Sequence, residues 1–362
     1  MDLTFDLIAH DTNLLQNVGD LSNSKTIFGE RNMPQKTKKI LITGATGYVA
    51  DQMLASMKDR YETVLVDTRD VNRRGEPVEG VHIVDLIDPD REKYSHLFEG
   101  VGAVVHLAYK GRTGDPLDQF QDEKQNVEMA YNVFRTAYDN GVDRVVMASS
   151  NHAADWYEHS LLHRGSMDIV KPYDLPLSDN FYGWAKATYE HMGFLFASGG
   201  MGEGGDGASG SAATGNLLGG NLQTSRKMGV VMVRIGAPRD IETEMYRGKP
   251  AAYKRDLGAY ISARDITQLF YKAMATSNIE NEYGVPWQVV YGISNNTRAF
   301  WSLTSARKVL GYEPEDDSEI TFRSGINEIL NGAGRVGPID CLLYTSDAAD
   351  EGLGVDLGGR RI

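Results

Sequence analysis

One segment constrains the fold of this chain more than any other: a short apolar strand that runs directly into a glycine turn. The run Ile40–Ile42 is followed by the octapeptide Thr-Gly-Ala-Thr-Gly-Tyr-Val-Ala, which ends at Ala50. Gly44 permits a tight turn, Gly47 lets the backbone approach a pyrophosphate, and Ala50 lets helix and strand pack closely. The helix that follows points its free N–H groups at the anion. The expected cofactor contacts in this turn are Gly44, Thr46, Gly47, Tyr48 and Val49.

An acidic residue at the end of the next strand indicates which nucleotide binds. Asp67 closes the run Val64–Val66 and lies 20 residues after Gly47. A carboxylate there accepts hydrogen bonds from a ribose 2′-OH and repels a 2′-phosphate, so the sequence predicts NAD as the cofactor. Arg69, two residues further on, leaves NADP open as an alternative.

Short apolar runs alternate with helical stretches through most of the chain. This alternation predicts an α/β fold, a Rossmann-type doubly wound parallel sheet with a small C-terminal substrate lobe. One helix is expected over Tyr48–Lys58, and the lobe from about 237–330. The predicted strands are Lys39–Thr43, Thr63–Val66, His82–Val84, Ala103–Leu107, Arg144–Ala148 and Val230–Arg234.

Charge and composition exclude several kinds of protein. Fifty Asp and Glu against 37 Lys and Arg give a net charge of −13, so we expect no nucleic-acid partner. The longest apolar runs are shorter than the ~18 residues of a membrane span, so no membrane partner is expected. With Cys341 as the one cysteine, intrachain disulfides are impossible and no metal site is expected. We expect a homo-oligomer in the cytoplasm.

Three stretches differ in character from the rest. Residues 1–37 lack a clear period and are expected to be a disordered extension or translated upstream sequence. The segment 199–220 contains ten glycines and predicts a flexible surface loop, since no strand leads into it as a phosphate site requires. Residues 341–362, including Cys341, resemble the translation of a sequencing-library adapter and are excluded from functional argument. The remaining domain is 38–330.

A second group of residues has the pattern of a catalytic site. Tyr182 and Lys186 stand four residues apart, so on a helix the phenol and the ammonium share one face. Lys186 is expected to lower the pKa of Tyr182 from ~10 toward neutrality, which makes a base for an alcohol that loses hydride. A hydroxyl at the end of the fifth strand, Ser150 with Ser149 as the alternative, would hold the substrate hydroxyl.

These motifs resemble the extended short-chain dehydrogenase/reductase superfamily, also called the NAD-dependent epimerase/dehydratase family, from about Lys38 to Leu330. Asp85-Leu86, His106-Leu107-Ala108 and Asn126-Val127 extend the match. The resemblance implies cofactor contacts at Asp85, Leu86, Leu107, Ala108, Tyr182 and Lys186. It implies a catalytic set of Ser150, Tyr182, Lys186 and Asn126.

A narrower resemblance is to uronate dehydrogenases and archaeal NAD-dependent glucose-6-phosphate dehydrogenases. It rests on Ser149–His152, Val233–Gly236 and Tyr291–Arg298. It implies oxidation of the C1 hydroxyl of an anionic sugar, a hexuronate or sugar phosphate, to a lactone. Tyr182 would take the proton, and Ser150 and Asn151 would hold the hydroxyl. His152 would contact substrate or brace its loop.

The chain departs from that pattern in several places. Ala237 stands where uronate dehydrogenases carry serine, and residues 157–179 are an insertion between Ser150 and Tyr182. An arginine should clamp the substrate anion, with Arg239 and Arg247 the expected residues and Arg255 also in the segment. A nucleotide-sugar epimerase or dehydratase is the first alternative, disfavoured by the small lobe and by Asn151 where a dehydratase carries an acid. A non-catalytic NAD-binding sensor is the second, disfavoured by the presence of Tyr182 and Lys186.

Overall fold

The computed structural model describes residues 39–114, 119–199 and 226–331. The expected extension at 1–37, the Gly-rich segment beyond Gly199 and the adapter-like residues 341–362 lie outside this part. Seven parallel strands form one sheet in the order β3-β2-β1-β4-β5-β6-β7. The strands are Lys39–Thr43 (β1), Glu62–Asp67 (β2), Val81–Ile83 (β3), Ala103–His106 (β4), Arg144–Ser150 (β5), Gly229–Ile235 (β6) and Trp287–Gly292 (β7). The predicted Rossmann-type α/β sheet is confirmed.

The two faces of the sheet are covered by different helices. Tyr48–Lys58 (α1) and Ala263–Ala275 (α5) contribute to one buried cluster, which takes Ile40, Ile42 and Val105 from the strands. Phe120–Asp139 (α2) and Phe181–Ser198 (α3) contribute to the other, which takes Leu41 and Val104. Successive strand residues therefore bury on opposite faces, which is why these strands read as continuous apolar runs.

A third, smaller cluster lies in the C-terminal part of the chain. Tyr246, Tyr253, Leu257 and Ile326 are among its buried members, and Pro250–Ala259 (α4) supplies two of them. The stretch 237–330 that predicts a substrate lobe also supplies α5 and β7 to the main sheet.

Short helical segments connect these elements. They are Glu92–Ser95, His96–Phe98, Asn151–Ala154, Asp155–Tyr157, Glu158–Leu162, Thr243–Tyr246, Ala306–Leu310, Ser318–Thr321, Arg323–Ile326 and Asn327–Asn331. None of the helices within the described residues has both the length and the apolar character that crossing a bilayer requires.

The strand order reverses between β1 and β4. Residues Ile40–Thr43 pair with Ala103–His106 on one side, and β2 pairs with β1 on the other. Ligands of open parallel sheets bind beyond the carboxyl ends of the strands at such a point. The glycine turn after β1 and the loop after β4 therefore meet where a ligand is expected.

Candidate active site

The glycine turn after β1 has a shape that only glycine allows. Gly44 has φ +65°, and a Cβ atom there would lie 2.6 Å from the Ala108 nitrogen and 2.8 Å from the Leu107 carbonyl carbon. The Gly47 N–H donates to the Gly44 carbonyl oxygen at 2.9 Å, which closes the turn. Gly47 is the N-cap of α1, so the first turn of the helix faces this cradle. The turn fits a dinucleotide pyrophosphate.

Asp67 lies against this turn, at the end of β2. Its Oδ2 accepts hydrogen bonds from the Thr46 backbone N–H at 2.9 Å and the Thr46 hydroxyl at 2.8 Å. The Arg69 Nε donates to the same hydroxyl at 3.4 Å. The carboxylate is therefore placed where it could accept a ribose hydroxyl, and the guanidinium of Arg69 is beside it.

The other predicted cofactor residues lie around the same edge of the sheet. The N–H groups of Leu107 and Ala108 donate to the Thr43 hydroxyl at 3.2 and 3.3 Å, which fixes the loop after β4 against β1. Leu86 is buried, Asp85 is exposed, and the Oδ1 of Asp85 accepts from the Ile87 N–H at 2.9 Å. Tyr48 and Val49 open α1.

The two serines at the end of β5 have different partners. The Ser149 hydroxyl donates to Glu190 at 2.7 Å, and Glu190 also receives two hydrogen bonds of 2.8 Å from the guanidinium of Arg234. Ser150 is a hydrogen-bond partner of the Tyr182 phenol. Ser149 thus belongs to a buried ion-pair network, and Ser150 is the serine that meets Tyr182.

Tyr182 is the second residue of α3 and is 5% exposed. Asn180 caps this helix, accepting from the Gly183 N–H at 2.9 Å. A side chain at position 183 would collide with the His152 carbonyl oxygen and the Ser178 hydroxyl. Glycine at this position therefore lets the start of α3 touch the loop that carries Asn151 and His152.

Lys186 lies one turn further along α3. Its ammonium donates to the Ala148 carbonyl oxygen at 3.1 Å and is 5.6 Å from the centroid of the Tyr182 ring. Burial lowers the pKa of Lys186 to about 8 and raises the pKa of Tyr182 to about 12, against a hydrogen bond from Ser150 that lowers it. The expected drop of the Tyr182 pKa toward neutrality is thus wrong for this structure, because desolvation of the phenolate dominates.

Asn126 supports the loop after β4. Its Oδ1 accepts from the Lys110 N–H at 2.8 Å, and its Nδ2 donates to the Lys110 carbonyl at 3.0 Å. The same side of α2 carries Glu123, which is fully buried and which sequence analysis does not single out. A charged residue three positions before Asn126, on the same helix face, is the signal that could have identified it.

Two further residues beside Tyr182 lie on the loop after β4 and belong to no motif. The Tyr109 ring meets the Tyr182 ring edge-on at 5.5 Å, and its hydroxyl donates to Glu123 at 2.7 Å. The Arg112 guanidinium is 5.4 Å from the centroid of the Tyr182 ring. Tyr109 and Arg112 therefore form part of the wall around the phenol.

Asn151 and His152 continue from Ser150. In the amide orientation that satisfies both polar atoms, Asn151 donates to the Ile235 carbonyl at 3.0 Å and accepts from Arg255. The His152 ring lies 5.6 Å from the Tyr182 ring, and its Nδ1 is 2.6 Å from the Asp155 carboxylate. Both side chains are thus fixed beside Ser150 and Tyr182.

The three candidate arginines all pair with carboxylates. Arg247 is 67% exposed and bonds Glu244 at 3.0 Å. Arg239 bonds Asp256 at 2.9 Å, and the more deeply buried Arg255 bonds Asp256 and Glu158. Of the three, Arg255 is the one that a described contact joins to Asn151.

One group of side chains has the spacing of metal ligands. Ligand atoms of Asp155, Glu158 and His159 lie within 4.8 Å of one another. Glu158 is already bonded to Arg255 at 2.9 Å, and His159 to Asp179 at 2.6 Å. These partners compete with a metal, and the expectation of no metal stays a prediction.

Comparison with known proteins points to the same family as the sequence motifs. The NAD dependent epimerase/dehydratase family model matches residues 40–198. An NAD-dependent glucose-6-phosphate dehydrogenase of Haloferax volcanii is 30% identical over 301 residues, covering 78% of this chain and 95% of that protein. A uronate dehydrogenase of Pseudomonas syringae pv. tomato is 24% identical over 293 residues, covering 80% and 86%.

A solved structure shows the same fold. A mutant of uronate dehydrogenase from Agrobacterium tumefaciens, complexed with NAD, has a TM-score of 0.57 at 21% identity, covering 81% of this chain and 90% of that one.

Proposed function

Because this chain belongs to the NAD-dependent epimerase/dehydratase family, we propose that it is a dehydrogenase that oxidises the C1 hydroxyl of an anionic sugar, a hexuronate or a sugar phosphate, to a lactone. The observation that carries this proposal is the convergence of Ser150, Tyr182 and Lys186. They meet beside the loop after β4, whose Leu107 and Ala108 also pack against Gly44. The names of the similar proteins, a glucose-6-phosphate dehydrogenase and a uronate dehydrogenase, support the substrate class.

In this reaction Ser150, Tyr182 and Lys186 have different roles. Ser150 holds the C1 hydroxyl. Tyr182 acts from its ionised form, which its raised pKa makes the minor form near neutral pH. The phenolate oxygen accepts the hydroxyl proton while the C1–H bond breaks and a carbonyl forms at C1. When bound, NAD⁺ supplies the acceptor for the hydride that leaves C1 and the positive charge of its oxidised ring. Lys186, anchored on Ala148, holds a positive charge near the phenolate. The carbon is oxidised by two electrons, and the proton ends on Tyr182.

The cofactor side of the proposal rests on the glycine turn and Asp67. Gly44 and Gly47 would hold the pyrophosphate, and Asp67 the adenosine ribose. Asp85, Leu86, Leu107 and Ala108 line the same edge and are proposed as further contacts. Arg69 beside Thr46 keeps NADP as the alternative to be tested.

On the substrate side, Asn151 and His152 are proposed to contact the sugar next to the reacting hydroxyl. Arg239 and Arg247 are the residues predicted to hold its anionic group, with Arg255 as the third candidate. Their ion pairs with Asp256, Glu244 and Glu158 imply that a substrate carboxylate or phosphate must share or replace a protein carboxylate. The homo-oligomeric state and the cytoplasmic location stay predictions.

A matched substrate panel tests the proposal. Glucuronate, galacturonate, glucose 6-phosphate, glucose and UDP-glucose are each supplied with NAD⁺ or NADP⁺, and reduced cofactor is followed by absorbance. Reduction of NAD⁺ by glucuronate or glucose 6-phosphate, with a lactone seen by NMR, is expected. Glucose is the neutral control for both. Epimerisation of UDP-glucose without net cofactor reduction would overturn the proposal in favour of the epimerase alternative.

The same panel identifies the anion-binding arginine. Arg239→Gln, Arg247→Gln and Arg255→Gln are compared by the ratio of kcat/KM for the anionic sugar to that for glucose. The variant at the clamping position lowers this ratio, whereas a variant elsewhere leaves the ratio unchanged.

A further inference from the structure

Tyr182 has a second cation at the same distance as Lys186. The guanidinium carbon of Arg112 is 5.4 Å from the centroid of the Tyr182 ring, and the ammonium of Lys186 is 5.6 Å from it. Lys186 reaches the ring from the same helix, whereas Arg112 comes from the loop between β4 and α2. Two positive charges from different elements therefore lie beside one phenol.

Buried contacts fix the position of Arg112. Its Nε donates to the Glu123 carboxylate at 3.3 Å, and its side chain is 19% exposed while that of Glu123 is 0% exposed. Glu123 also accepts from the Tyr109 hydroxyl at 2.7 Å and from the Asn126 amide at 3.4 Å. Because Tyr109 packs edge-on against Tyr182, the carboxylate ties the loop, α2 and the phenol into one arrangement.

We propose that Arg112 is a positioning residue of the reaction: its charge stabilises the phenolate of Tyr182, and Glu123 limits that effect. The proposal rests on the proposed role of Tyr182 as the base. A cation within about 6 Å of a titrating group favours the charged form of an acid, and a nearby anion disfavours it. Arg112 and Glu123 therefore act on Tyr182 with opposite sign.

The directions in which the neighbouring charges shift the Tyr182 pKa agree with this proposal. Burial is the largest influence and raises the pKa of Tyr182, and the Ser150 hydrogen bond lowers it. The charge of Glu123 raises this pKa, and the charge of Arg112 lowers it. Other titratable or charged groups face Tyr182 from the packed elements: Lys186 and Tyr189 on α3, Tyr109 on the loop after β4, and His152 and Asp155 after β5.

The pH dependence of turnover tests this proposal. Wild type, Arg112→Gln, Arg112→Lys and Glu123→Gln are assayed with saturating NAD⁺ and whichever of glucuronate or glucose 6-phosphate is oxidised. For Arg112→Gln we expect the rising acid limb of kcat to move at least about half a pH unit upward, which is about threefold in rate at a fixed pH on the limb. The deficit should shrink as the pH approaches the pKa of Tyr182. Arg112→Lys keeps a positive charge, so its limb should lie between those of the wild type and Arg112→Gln.

Glu123→Gln keeps the test decisive even if Arg112→Gln does not fold, because its limb should move in the opposite direction. Arg135→Gln, which removes an arginine on α2 paired with Asp139, is the control and should leave the limb in place. A loss of rate in both Arg112 variants that does not shrink as the pH approaches the pKa of Tyr182 would overturn the inference alone. A Glu123→Gln limb that stays in place or moves upward would also overturn it. Absence of sugar oxidation by the wild type at every pH would instead overturn the proposed function, and this inference with it.

Discussion

The ammonium of Lys186 donates a 3.1 Å hydrogen bond to the carbonyl oxygen of Ala148. This bond joins α3 to β5 two residues before Ser150, so the helix that carries the phenol and the strand that carries the hydroxyl are held in register. Lys186 therefore has a structural contact as well as a charge, and its ammonium is oriented before any ligand arrives.

Replacing Tyr182 with phenylalanine should abolish turnover and leave NAD binding intact. The substitution removes the proton acceptor but keeps the ring that packs against Tyr109 and His152. We expect kcat to fall by about 100-fold or more, while the Kd for NAD from calorimetry is unchanged. Tyr283→Phe, at an exposed tyrosine, is the control. Turnover retained at the wild-type rate would show that another group is the base.

Asp67→Asn should reduce the preference for NAD over NADP. The change removes the charge that repels a 2′-phosphate and weakens the acceptor for a 2′-OH. We expect the ratio of kcat/KM with NAD⁺ to that with NADP⁺ to fall by about tenfold, which corresponds to about 1.4 kcal/mol. Asp70→Asn makes the same charge change three residues away. An equal ratio in wild type and Asp67→Asn would place the ribose contact elsewhere.

Glu190→Gln should destabilise the fold strongly. Glu190 accepts from Arg234 and Ser149, and the Arg234 side chain is 1% exposed, so the substitution leaves a buried guanidinium without its counter-charge. Loss of one partner of a buried pair costs about 3–5 kcal/mol. Urea denaturation followed by circular dichroism measures this cost. Glu244→Gln removes a carboxylate from an exposed pair with Arg247 and should change the free energy of unfolding by less than about 0.5 kcal/mol.

His159 should contribute stability that depends on pH. Burial lowers the pKa of His159, but its hydrogen bond to Asp179 and the charges of Asp155 and Glu158 outweigh this and raise the pKa to about 9. Because the folded pKa lies above the unfolded value of ~6.5, the contribution is complete below ~pH 6.5 and is lost as the pH rises through about 9.

The measurement is the free energy of unfolding of wild type and His159→Gln at pH values on both sides of this window. The difference should be largest on the acid side and small on the alkaline side. His191→Gln, on an exposed position of α3, corrects for general effects. A difference that is constant with pH would mean that His159 is held by packing rather than by its charge.

Much of the fold was predictable because each early strand is an uninterrupted apolar run. The six predicted strands correspond to β1–β6, and their boundaries agree to within two residues. β7 was missed because Gln288 interrupts its apolar pattern, and its side chain donates to the Ile279 carbonyl from a buried position. A pattern of apolar residues along the sequence does not show which group will satisfy a buried amide.

The site shows the same limit. The turn at Gly44 and the pair Tyr182 and Lys186 are defined by residues close together in the sequence, so the sequence alone predicts them. Arg112 and Glu123 contact the phenol through a loop and a helix that the sequence does not place side by side. The sequence already favoured Ser150 over Ser149, but only the packed structure shows that the Ser149 hydroxyl is bonded to Glu190.

The close approach at Gly183 has a mechanical consequence. Because no side chain fits between the start of α3 and the His152 carbonyl, a shift of the loop that carries Asn151 and His152 presses directly on the first turn of α3, where Tyr182 lies. Under the proposed function, we therefore expect substitutions at Asn151 or His152 to change substrate selectivity and rate together.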